Sequence, residues 1–207
     1  MAAYIAIAII SYVIGSINFS VILSKKMAGF DVREKGSGNA GTTNMLRSVG
    51  KKAAAITLIC DILKGIVSIL IAILIGNLFQ NLDRALLVQI AGIGAVLGHT
   101  FPVFFGFKGG KGVATAIGII LLTNWQIGLI CLIFGIVIIA LTRMVSLGSI
   151  MAAVLFPILT IFIHNNFIVD GNYIVFGIIL GAFVTFNHRT NLKRILNGTE
   201  NKISFKK

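Results

Sequence analysis

The sequence predicts an all-α integral membrane protein with seven transmembrane helices, and three observations support this class. Hydrophobic residues make up 57% of the 207 positions and charged residues only 12%, which is about half the charged share of an ordinary soluble domain. The mean hydropathy is +1.00. The apolar residues form long runs with most of the basic residues between them. We therefore expect the protein to lie mostly in lipid.

Each apolar run is predicted to be a helix that crosses the membrane. A bilayer core of about 30 Å requires roughly 20 residues of helix, and a backbone in lipid must satisfy its own hydrogen bonds. The runs cover residues 2–24, 53–76, 85–105, 112–123, 127–142, 145–163 and 172–187. The first run is too long for the apolar core of a signal peptide and is therefore expected to be a membrane span. The fourth is short, so the loop at 99–111 is expected to enter the membrane.

The basic residues predict the orientation of these spans. Sixteen of the eighteen Lys and Arg residues fall on one side, Arg84 falls on the other, and Lys64 lies within the second run. Since loops rich in Lys and Arg stay in the cytoplasm, the amino terminus is expected outside and the carboxy terminus in the cytoplasm. The net charge of +12 then favours anionic lipid or phosphate, and no nucleic acid is expected as a partner. Residues 1–207 are predicted to form a single domain.

The first cytoplasmic loop contains the glycine-rich segment GSGNAGTTN, residues 36–44. Its glycines match the spacing of a dinucleotide fingerprint, but a membrane span precedes them where a strand is required. Glycines allow positive φ and close approach, so the loop can present backbone N–H groups and the hydroxyls of Ser37, Thr42 and Thr43 to an anion. The alternative is a turn in which Thr42 or Thr43 caps a helix and Arg47 binds lipid headgroups.

The second cytoplasmic loop, GHTFPVFFGFKGGKG at 98–112, alternates glycine and lysine before helical sequence. Open amides, two cations and a helix N-terminus are typical of a phosphate site. The loop is not a Walker A motif, because Gly112 stands where a hydroxyl would bind magnesium and the glycine spacing is one residue short. We therefore expect phosphate binding without a metal. Cys60 and Cys131 each lie inside an apolar run and predict neither a disulfide nor a metal site.

Two polar pairs lie on helix faces of the predicted spans. Ser146 and Ser149 share a face at the start of the sixth span, where close helix packing is the alternative to a functional role. Asp61 and Lys64 are three residues apart on the second span and can pair with each other. A buried structural pair and a proton or substrate role both remain open for them.

The carboxy-terminal tail begins with His188, at the end of the last span. This histidine could act as a general base, bind phosphate or be a satisfied polar residue at the boundary. Leu192, Ile195 and Leu196 form a narrow apolar stripe beside basic residues. The pattern predicts an interfacial helix that ends near Gly198.

Four segments together resemble one family, the bacterial acyl-phosphate:glycerol-3-phosphate acyltransferases of the PlsY type. They are GSGNAGTTNMLRSVG (36–50), GHTFPVFFGFKGGKGVAT (98–115), RMVSLGS (143–149) and HRTNLKRILNGTENK (188–202). The resemblance implies transfer of a fatty acyl group from acyl phosphate to the 1-hydroxyl of glycerol 3-phosphate, giving lysophosphatidic acid and phosphate. It implies no acyl-CoA, acyl carrier protein, metal or cofactor. It also implies a multi-pass protein of the bacterial cell membrane, an active site facing the cytoplasm, and functional coupling to an enzyme that produces acyl phosphate.

Carried onto this sequence, the resemblance implies a set of polar catalytic residues on the four segments. These are Ser37, Arg47, Lys108, Ser146, His188 and Asn191. Substrate binding is expected from the glycine-rich loops and their neighbours. These residues are Gly36, Gly38, Asn39, Thr42, Thr43, His99, Gly106, Gly109, Gly110, Lys111, Gly112, Ser149 and Glu200. The family also suggests that the phosphate of the acceptor helps to take the hydroxyl proton, with His188 positioning the substrate.

Two other classes of protein fit parts of the pattern. An anion or phosphate transporter could also use glycine loops with lysines near a membrane. Such a protein should show related halves and polar residues along its spans, whereas the functional-looking polar residues here lie on one side. A non-catalytic assembly subunit would not require clustered polar residues on four separate loops.

Overall fold

The computed structural model describes residues 1–163 and 173–203, which form helices joined by turns and loops. The helices are α1 (Ala2–Gly15), α2 (Phe19–Ala28), α3 (Thr42–Ser48), α4 (Lys51–Leu78), α5 (Arg84–Thr100), α6 (Val113–Thr123), α7 (Trp125–Thr142), α8 (Val145–Phe162), α9 (Tyr173–Asn187) and α10 (Arg189–Leu196). Short 3₁₀ turns occupy Val32–Glu34 and Val103–Phe105. The chain divides into two compact units, Met1–Leu122 and Thr123–Lys207; the single domain stays a prediction.

Five stretches of the described chain are long and apolar enough to cross a membrane. They are Ala2–Ala28, Lys51–Leu78, Arg84–Phe105, Trp125–Thr142 and Val145–Phe162, and they coincide with the first, second, third, fifth and sixth predicted spans. The helices α6 and α9 coincide with the fourth and seventh but are shorter, with 11 and 15 residues. The start of the seventh predicted span, residue 172, lies outside the described residues. The helical class is confirmed, whereas seven crossings and their orientation stay predictions.

The first span contains a helix break that its hydropathy does not indicate. The run predicts one continuous helix over 2–24, which is wrong because α1 ends at Gly15 and α2 begins at Phe19. The Asn18 side chain caps α2 by accepting from the Val21 N–H over 3.2 Å. The carbonyl of Ile17, within the break, accepts from the Lys64 ammonium of α4 over 3.1 Å. A buried side chain thus satisfies a main-chain group that the break leaves open.

In the unit Met1–Leu122, α1 packs closely along α5. Small residues make this approach possible: a β-carbon added at Gly15 would overlap the Ala95 carbonyl, and one at Gly98 would overlap the Tyr12 carbonyl. Membrane helices commonly pack through small residues in this way. The packing fixes the carboxyl end of α5, from which the second glycine-rich loop begins.

In the unit Thr123–Lys207, α8 packs against both α7 and α9. Phe156 of α8 contacts Tyr173 and Phe176 of α9 edge-to-face, with ring centroids 5.9 and 6.2 Å apart. The Tyr173 hydroxyl also shares a 2.8 Å hydrogen bond with the Thr123 hydroxyl, which satisfies both polar groups in a buried position. This core positions the first turn of α8 and the carboxyl end of α9, where the third and fourth polar motifs lie.

Candidate active site

The first glycine-rich loop is shaped by two glycines and a buried asparagine. Gly36 and Gly38 have φ angles of 59° and 72°, which residues with a β-carbon rarely adopt. The Asn44 side chain accepts from the Ser37 N–H over 2.9 Å and donates to the Lys35 carbonyl over 3.0 Å. A β-carbon at Gly36 would overlap Asn44 Oδ1. The loop conformation is therefore fixed, with Ser37 exposed on it.

The helix after this loop, α3, has Gly41 as its N-cap residue. The alternative in which Thr42 or Thr43 caps the helix is therefore wrong, because both lie within its first turn. Asn39, one of the expected substrate-binding residues, is half-buried just before this cap. Arg47 lies in the last turn of α3 with its side chain exposed, so it is accessible to an anion.

The second glycine-rich loop folds back onto the end of α5. The N–H groups of Gly109 and Gly110 donate to the carbonyls of Thr100 and His99 over 3.0 and 3.1 Å. A β-carbon at Gly109 would overlap the His99 carbonyl oxygen, and one at Gly110 would overlap His99 Nε2. Glycine is required here by space rather than by φ, and the requirement fixes the loop against α5.

Lys108 lies on a tightly turned part of the same loop. Gly106 and Gly112 turn the chain with φ angles of 65° and 86°, and Phe107 also has a positive φ, 58°. The Lys108 side chain is exposed, and within residues 1–163 and 173–203 its ammonium makes no hydrogen bond or ion pair. Lys111, by contrast, is half-buried and has partners. Lys108 is therefore the cation of this loop that is available to a ligand.

Arg33 joins the segment just before the first glycine-rich loop to the second loop. Its Nη1 donates to the carbonyls of Phe105 and Lys108 over 2.7 and 3.1 Å. Its Nε and Nη2 donate to the two oxygens of the Asp31 carboxylate over 3.0 and 2.8 Å. The hydrogen bond from the Arg33 side chain holds the pKa of Asp31 below its ordinary value. The two motifs also lie close together, because a β-carbon at Gly110 would crowd the Ala40 carbonyl.

A buried ion pair on α4 adjoins the end of α5. Lys64 Nζ is 2.9 Å from Asp61 Oδ1, and both side chains are 3% exposed. His99 Nδ1 lies 3.6 Å from the same oxygen. The predicted pairing of Asp61 with Lys64 is confirmed, and with the Lys64 bond to Ile17 it connects α4 to the helix break. His99 is buried beside this pair; its role in substrate binding stays a prediction.

Glu200 is the centre of the polar cluster in Thr123–Lys207. Its Oε1 accepts from the Ser146 hydroxyl over 2.9 Å and from the Asn191 amide over 2.8 Å. Its Oε2 accepts from Arg194 Nε over 2.9 Å, and the Glu200 side chain is 4% exposed. Burial raises the pKa of Glu200, but the hydrogen bonds from Arg194, Asn191 and Ser146 lower it by more, so the net shift is downward. A charged carboxylate thus holds residues of α8 and α10 together.

The turn after α10 brings Glu200 back to that helix. Gly198 has a φ of 70°, and its N–H donates to the Ile195 carbonyl while the Thr199 N–H donates to the Arg194 carbonyl, over 3.0 and 2.8 Å. This pair of bonds around a left-handed glycine is a Schellman turn. The predicted helix that ends near Gly198 is confirmed; its interfacial location stays a prediction.

His188 lies between α9 and α10 and is 3% exposed. Its Nδ1 is 2.7 Å from the Val184 carbonyl oxygen. Because a carbonyl can only accept, Nδ1 carries the hydrogen, and Nε2 is the acceptor nitrogen of the neutral ring. The Ser149 hydroxyl donates to the Val145 carbonyl of its own helix over 2.9 Å, a bond that is also typical of a packing serine. The role of Ser149 in substrate binding stays a prediction.

Four residues that organise these clusters are absent from the set that the sequence predicts: Asp31, Arg33, Asn44 and Arg194. Asn44 and Arg194 lie inside the quoted motifs, and Asp31 and Arg33 lie just before the first one. Their importance comes from contacts that spacing does not show. In the described residues, no three His, Cys, Asp or Glu side chains group as metal ligands, and the metal-free site stays a prediction.

The helical fold matches integral membrane acyltransferases of known structure. In the crystal structure of PlsY, an integral membrane glycerol 3-phosphate acyltransferase, the glycerol 3-phosphate form is 36% identical, with a TM-score of 0.83 over 97% of this chain and 96% of that chain. The lysophosphatidic acid form is 34% identical, with a TM-score of 0.82 over 97% and 95%. The class is therefore a membrane-embedded acyltransferase.

Sequence comparison identifies the family. The profile of the glycerol-3-phosphate acyltransferases matches residues 5–198. The glycerol-3-phosphate acyltransferase of Clostridioides difficile (strain 630) is 44% identical over 205 residues, covering 99% of this chain and 98% of the relative. That of Fusobacterium nucleatum subsp. nucleatum is 40% identical over 203 residues, covering 98% and 100%. The chain belongs to the glycerol-3-phosphate acyltransferase family, which confirms the resemblance carried by the four motifs.

Proposed function

We propose that the protein transfers a fatty acyl group from acyl phosphate to the 1-hydroxyl of glycerol 3-phosphate, with lysophosphatidic acid and inorganic phosphate as products. Family membership supports the acceptor and the reaction class. The PlsY structures in glycerol 3-phosphate and lysophosphatidic acid forms support the same acceptor and product. One observation carries the choice of donor. The exposed Lys108 ammonium, on a fixed glycine-rich loop, has no partner among the residues that the structure describes, which suits a phosphate group at the acyl donor.

The chemistry of this donor matches the groups that the protein offers. An acyl phosphate is a mixed anhydride whose carbonyl carbon is already activated. The acceptor hydroxyl oxygen bonds to this carbon, and the bond from the carbon to the phosphate oxygen breaks. Inorganic phosphate leaves with the electron pair of that bond, and the acceptor's own phosphate takes the hydroxyl proton. The protein must orient the hydroxyl, stabilise the oxyanion and exclude water, so a nucleophilic side chain is unnecessary.

In Met1–Leu122, the cations and a helix N-terminus hold phosphate. Lys108 pairs with the donor phosphate, and the start of α6 at Val113 adds backbone N–H groups. Arg47 supplies a second cation and Ser37 a hydroxyl, both exposed at the first loop. A charged hydrogen bond to phosphate is shorter and stronger than a neutral one. These three side chains are the proposed phosphate-binding and catalytic groups of this unit.

In Thr123–Lys207, the Glu200 cluster orients the acceptor. Ser146 and Asn191 are held by one carboxylate, so their positions are set before substrate arrives. His188 presents Nε2 as an acceptor nitrogen because Nδ1 is bonded to Val184. His188 positions the acceptor hydroxyl, and the acceptor's own phosphate takes the proton.

The membrane arrangement forms part of the same proposal. The five long spans and the two shorter helices α6 and α9 support seven crossings of the bacterial plasma membrane. The partition of basic residues supports an active site on the cytoplasmic side, where an enzyme that makes acyl phosphate would supply the donor. An impermeant thiol reagent applied to intact cells should label a cysteine placed at Asp83 and spare one at Lys35, after Cys60 and Cys131 are replaced by Ala. The opposite labelling would contradict the orientation.

The donor is tested by incubating the purified protein with glycerol 3-phosphate and one acyl donor at a time. Acyl phosphate alone should give lysophosphatidic acid and inorganic phosphate in equal amounts. Acyl-CoA and acyl carrier protein thioesters of the same chain length are the matched controls and should give neither. Product from a thioester, with none from acyl phosphate, would contradict the proposed donor while leaving the acyltransferase family intact.

A further inference from the structure

We propose that Arg33, held by Asp31, is a positioning residue that sets the main chain of Lys108 for the donor phosphate. The inference rests on the proposed function, since it assigns a purpose to the Lys108 loop. Asp31 and Arg33 lie outside the four motifs, just before the first one. Arg33 contacts the second motif, which is more than seventy positions away along the chain.

The guanidinium of Arg33 donates hydrogen bonds to Asp31 on one side and to the second loop on the other. Nε and Nη2 donate to the two oxygens of Asp31 over 3.0 and 2.8 Å, and the Arg33 main-chain N–H donates to Asp31 Oδ1 over 3.0 Å. The Asp31 side chain is 8% exposed and that of Arg33 is 24% exposed. A planar fork held by two parallel bonds has little rotational freedom. Nη1 is therefore aimed in one direction, towards the second loop.

The two carbonyls that Nη1 binds belong to Phe105 and Lys108, at 2.7 and 3.1 Å. Between them lies Phe107, whose φ of 58° is unfavourable for a residue with a β-carbon. Such a conformation persists only where surrounding structure enforces it. The N–H groups on either side of Lys108 are bonded to the Pro102 and Thr100 carbonyls. Arg33 adds the bond to the carbonyl of Lys108 itself, so the guanidinium helps to set the point from which the lysine side chain extends.

The Lys108 side chain has no partner of its own within the described parts of the chain. Its ammonium is exposed and makes no hydrogen bond or ion pair there. A flexible side chain without a partner can meet a phosphate reproducibly only if its main chain is fixed. Lys25 lies on the other side of Asp31, with Nζ 3.6 Å from Oδ2, and its side chain is exposed. Arg33 connects this carboxylate to the Lys108 carbonyl.

The test compares Arg33→Lys with wild type in the full-length, purified protein. Lysine keeps the charge but cannot bond to Asp31 through two nitrogens and to two carbonyls at the same time. We expect kcat/KM for acyl phosphate to fall at least about tenfold, and KM for glycerol 3-phosphate to change less than about twofold. In a Lys108→Ala background the same substitution should cost less than about threefold, because the residue through which it acts is gone. Lys26→Ala, an exposed lysine on α2, is the control and should match wild type.

A purely structural role would give a different pattern. The inference would be overturned if Arg33→Lys lowered kcat/KM by the same factor in the wild-type and Lys108→Ala backgrounds. It would also be overturned if the substitution changed KM equally for both substrates. If Arg33→Lys fails to fold, Asp31→Asn replaces it, because the amide keeps the side-chain shape and loses the charged fork; the same coupling to Lys108 is expected.

A second measurement separates this inference from the proposed donor. Hydrogen–deuterium exchange of the 101–112 segment should speed up at least about threefold in Arg33→Lys and stay unchanged in Lys26→Ala. Unchanged exchange in Arg33→Lys would overturn the positioning role whatever the donor is. If wild type used a thioester donor while exchange still increased in Arg33→Lys, the proposed donor would be wrong. The conclusion that Arg33 restrains the loop would remain valid.

Discussion

The Asn191 side-chain amide donates a hydrogen bond to Glu200 Oε1 over 2.8 Å, across the turn that ends α10. The same oxygen accepts from the Ser146 hydroxyl on α8 over 2.9 Å. One carboxylate therefore fixes two side chains that we assign to the reaction. Because Asn191 and Ser146 share this anchor, a change at Glu200 should disturb both together.

Replacing Glu200 with Gln should destabilise the protein. The amide can still accept from Ser146 and Asn191, but it places an N–H₂ group opposite the Arg194 donor, so a charge-assisted bond is lost. We expect a loss of about 1 kcal/mol, or about 2–4 °C in the Tm of the solubilised protein. Glu34→Gln is the matched control, because Glu34 is an exposed carboxylate outside the cluster. Equal Tm values for the two variants would count against the cluster.

The Glu200 cluster should also give a defined pH dependence. The pKa of Glu200 is lowered in the folded protein, because the bonds from Arg194, Asn191 and Ser146 outweigh the effect of burial, which raises it. Such a carboxyl stabilises the fold above its unfolded pKa of about 4.3 and loses this effect as pH falls through the lower folded value. The Tm gap between wild type and Glu200→Gln should therefore be constant from about pH 5 to 8 and close below about pH 4. A gap that closed with rising pH would mean that the carboxyl is not held in its charged form.

The second loop should not tolerate a β-carbon at Gly110. An alanine there would overlap His99 Nε2 and the Ala40 carbonyl, so the loop must shift away from α5. We expect Gly110→Ala to lower kcat/KM at least about tenfold in folded protein. Gly135→Ala on α7 is the control: its nearest neighbour would be the Gly148 carbonyl at 3.4 Å, an ordinary contact, and its activity should stay within about twofold of wild type. Equal activities would show that the loop adapts.

Two replacements of His188 separate the roles of its ring nitrogens. Asparagine can place an amide where Nδ1 bonds to Val184, whereas the longer glutamine can place one near Nε2. If Nε2 contacts the acceptor, His188→Gln should keep about tenfold more kcat/KM for glycerol 3-phosphate than His188→Asn. The reverse order, with both variants folded, would mean that the ring serves its bond to Val184 and not the substrate.

The sequence predicts the helices well because burial in lipid demands continuous apolar runs, and these are visible in composition alone. The prediction of one continuous helix is wrong at the first span. Asn18 caps a new helix inside the apolar run, and the Ile17 carbonyl freed there is satisfied by Lys64. Hydropathy averages over such single polar residues, so the break is invisible to it.

The candidate site is predicted from the sequence only in part. The glycine-rich loops with Lys108 and Arg47 are short continuous segments, so the sequence alone indicates that they bind phosphate. Arg33 does not, because its function depends on carbonyls far along the chain. Glu200 is expected from the family resemblance rather than from spacing, and its hydrogen bonds to Ser146 and Asn191 become visible only when the Schellman turn reverses the tail.

The assignment of Lys108 and Arg47 to substrate phosphates is tested most directly by steady-state kinetics with acyl phosphate and glycerol 3-phosphate. Lys108→Ala and Arg47→Ala should each lower kcat/KM at least about tenfold, since a charged hydrogen bond to phosphate contributes roughly 1.5–3 kcal/mol. Lys26→Ala, which removes an exposed lysine of α2 that belongs to neither glycine-rich loop, should remain within about twofold of wild type. Equal small losses in all three folded variants would contradict the assignment and leave these bases as a general positive surface.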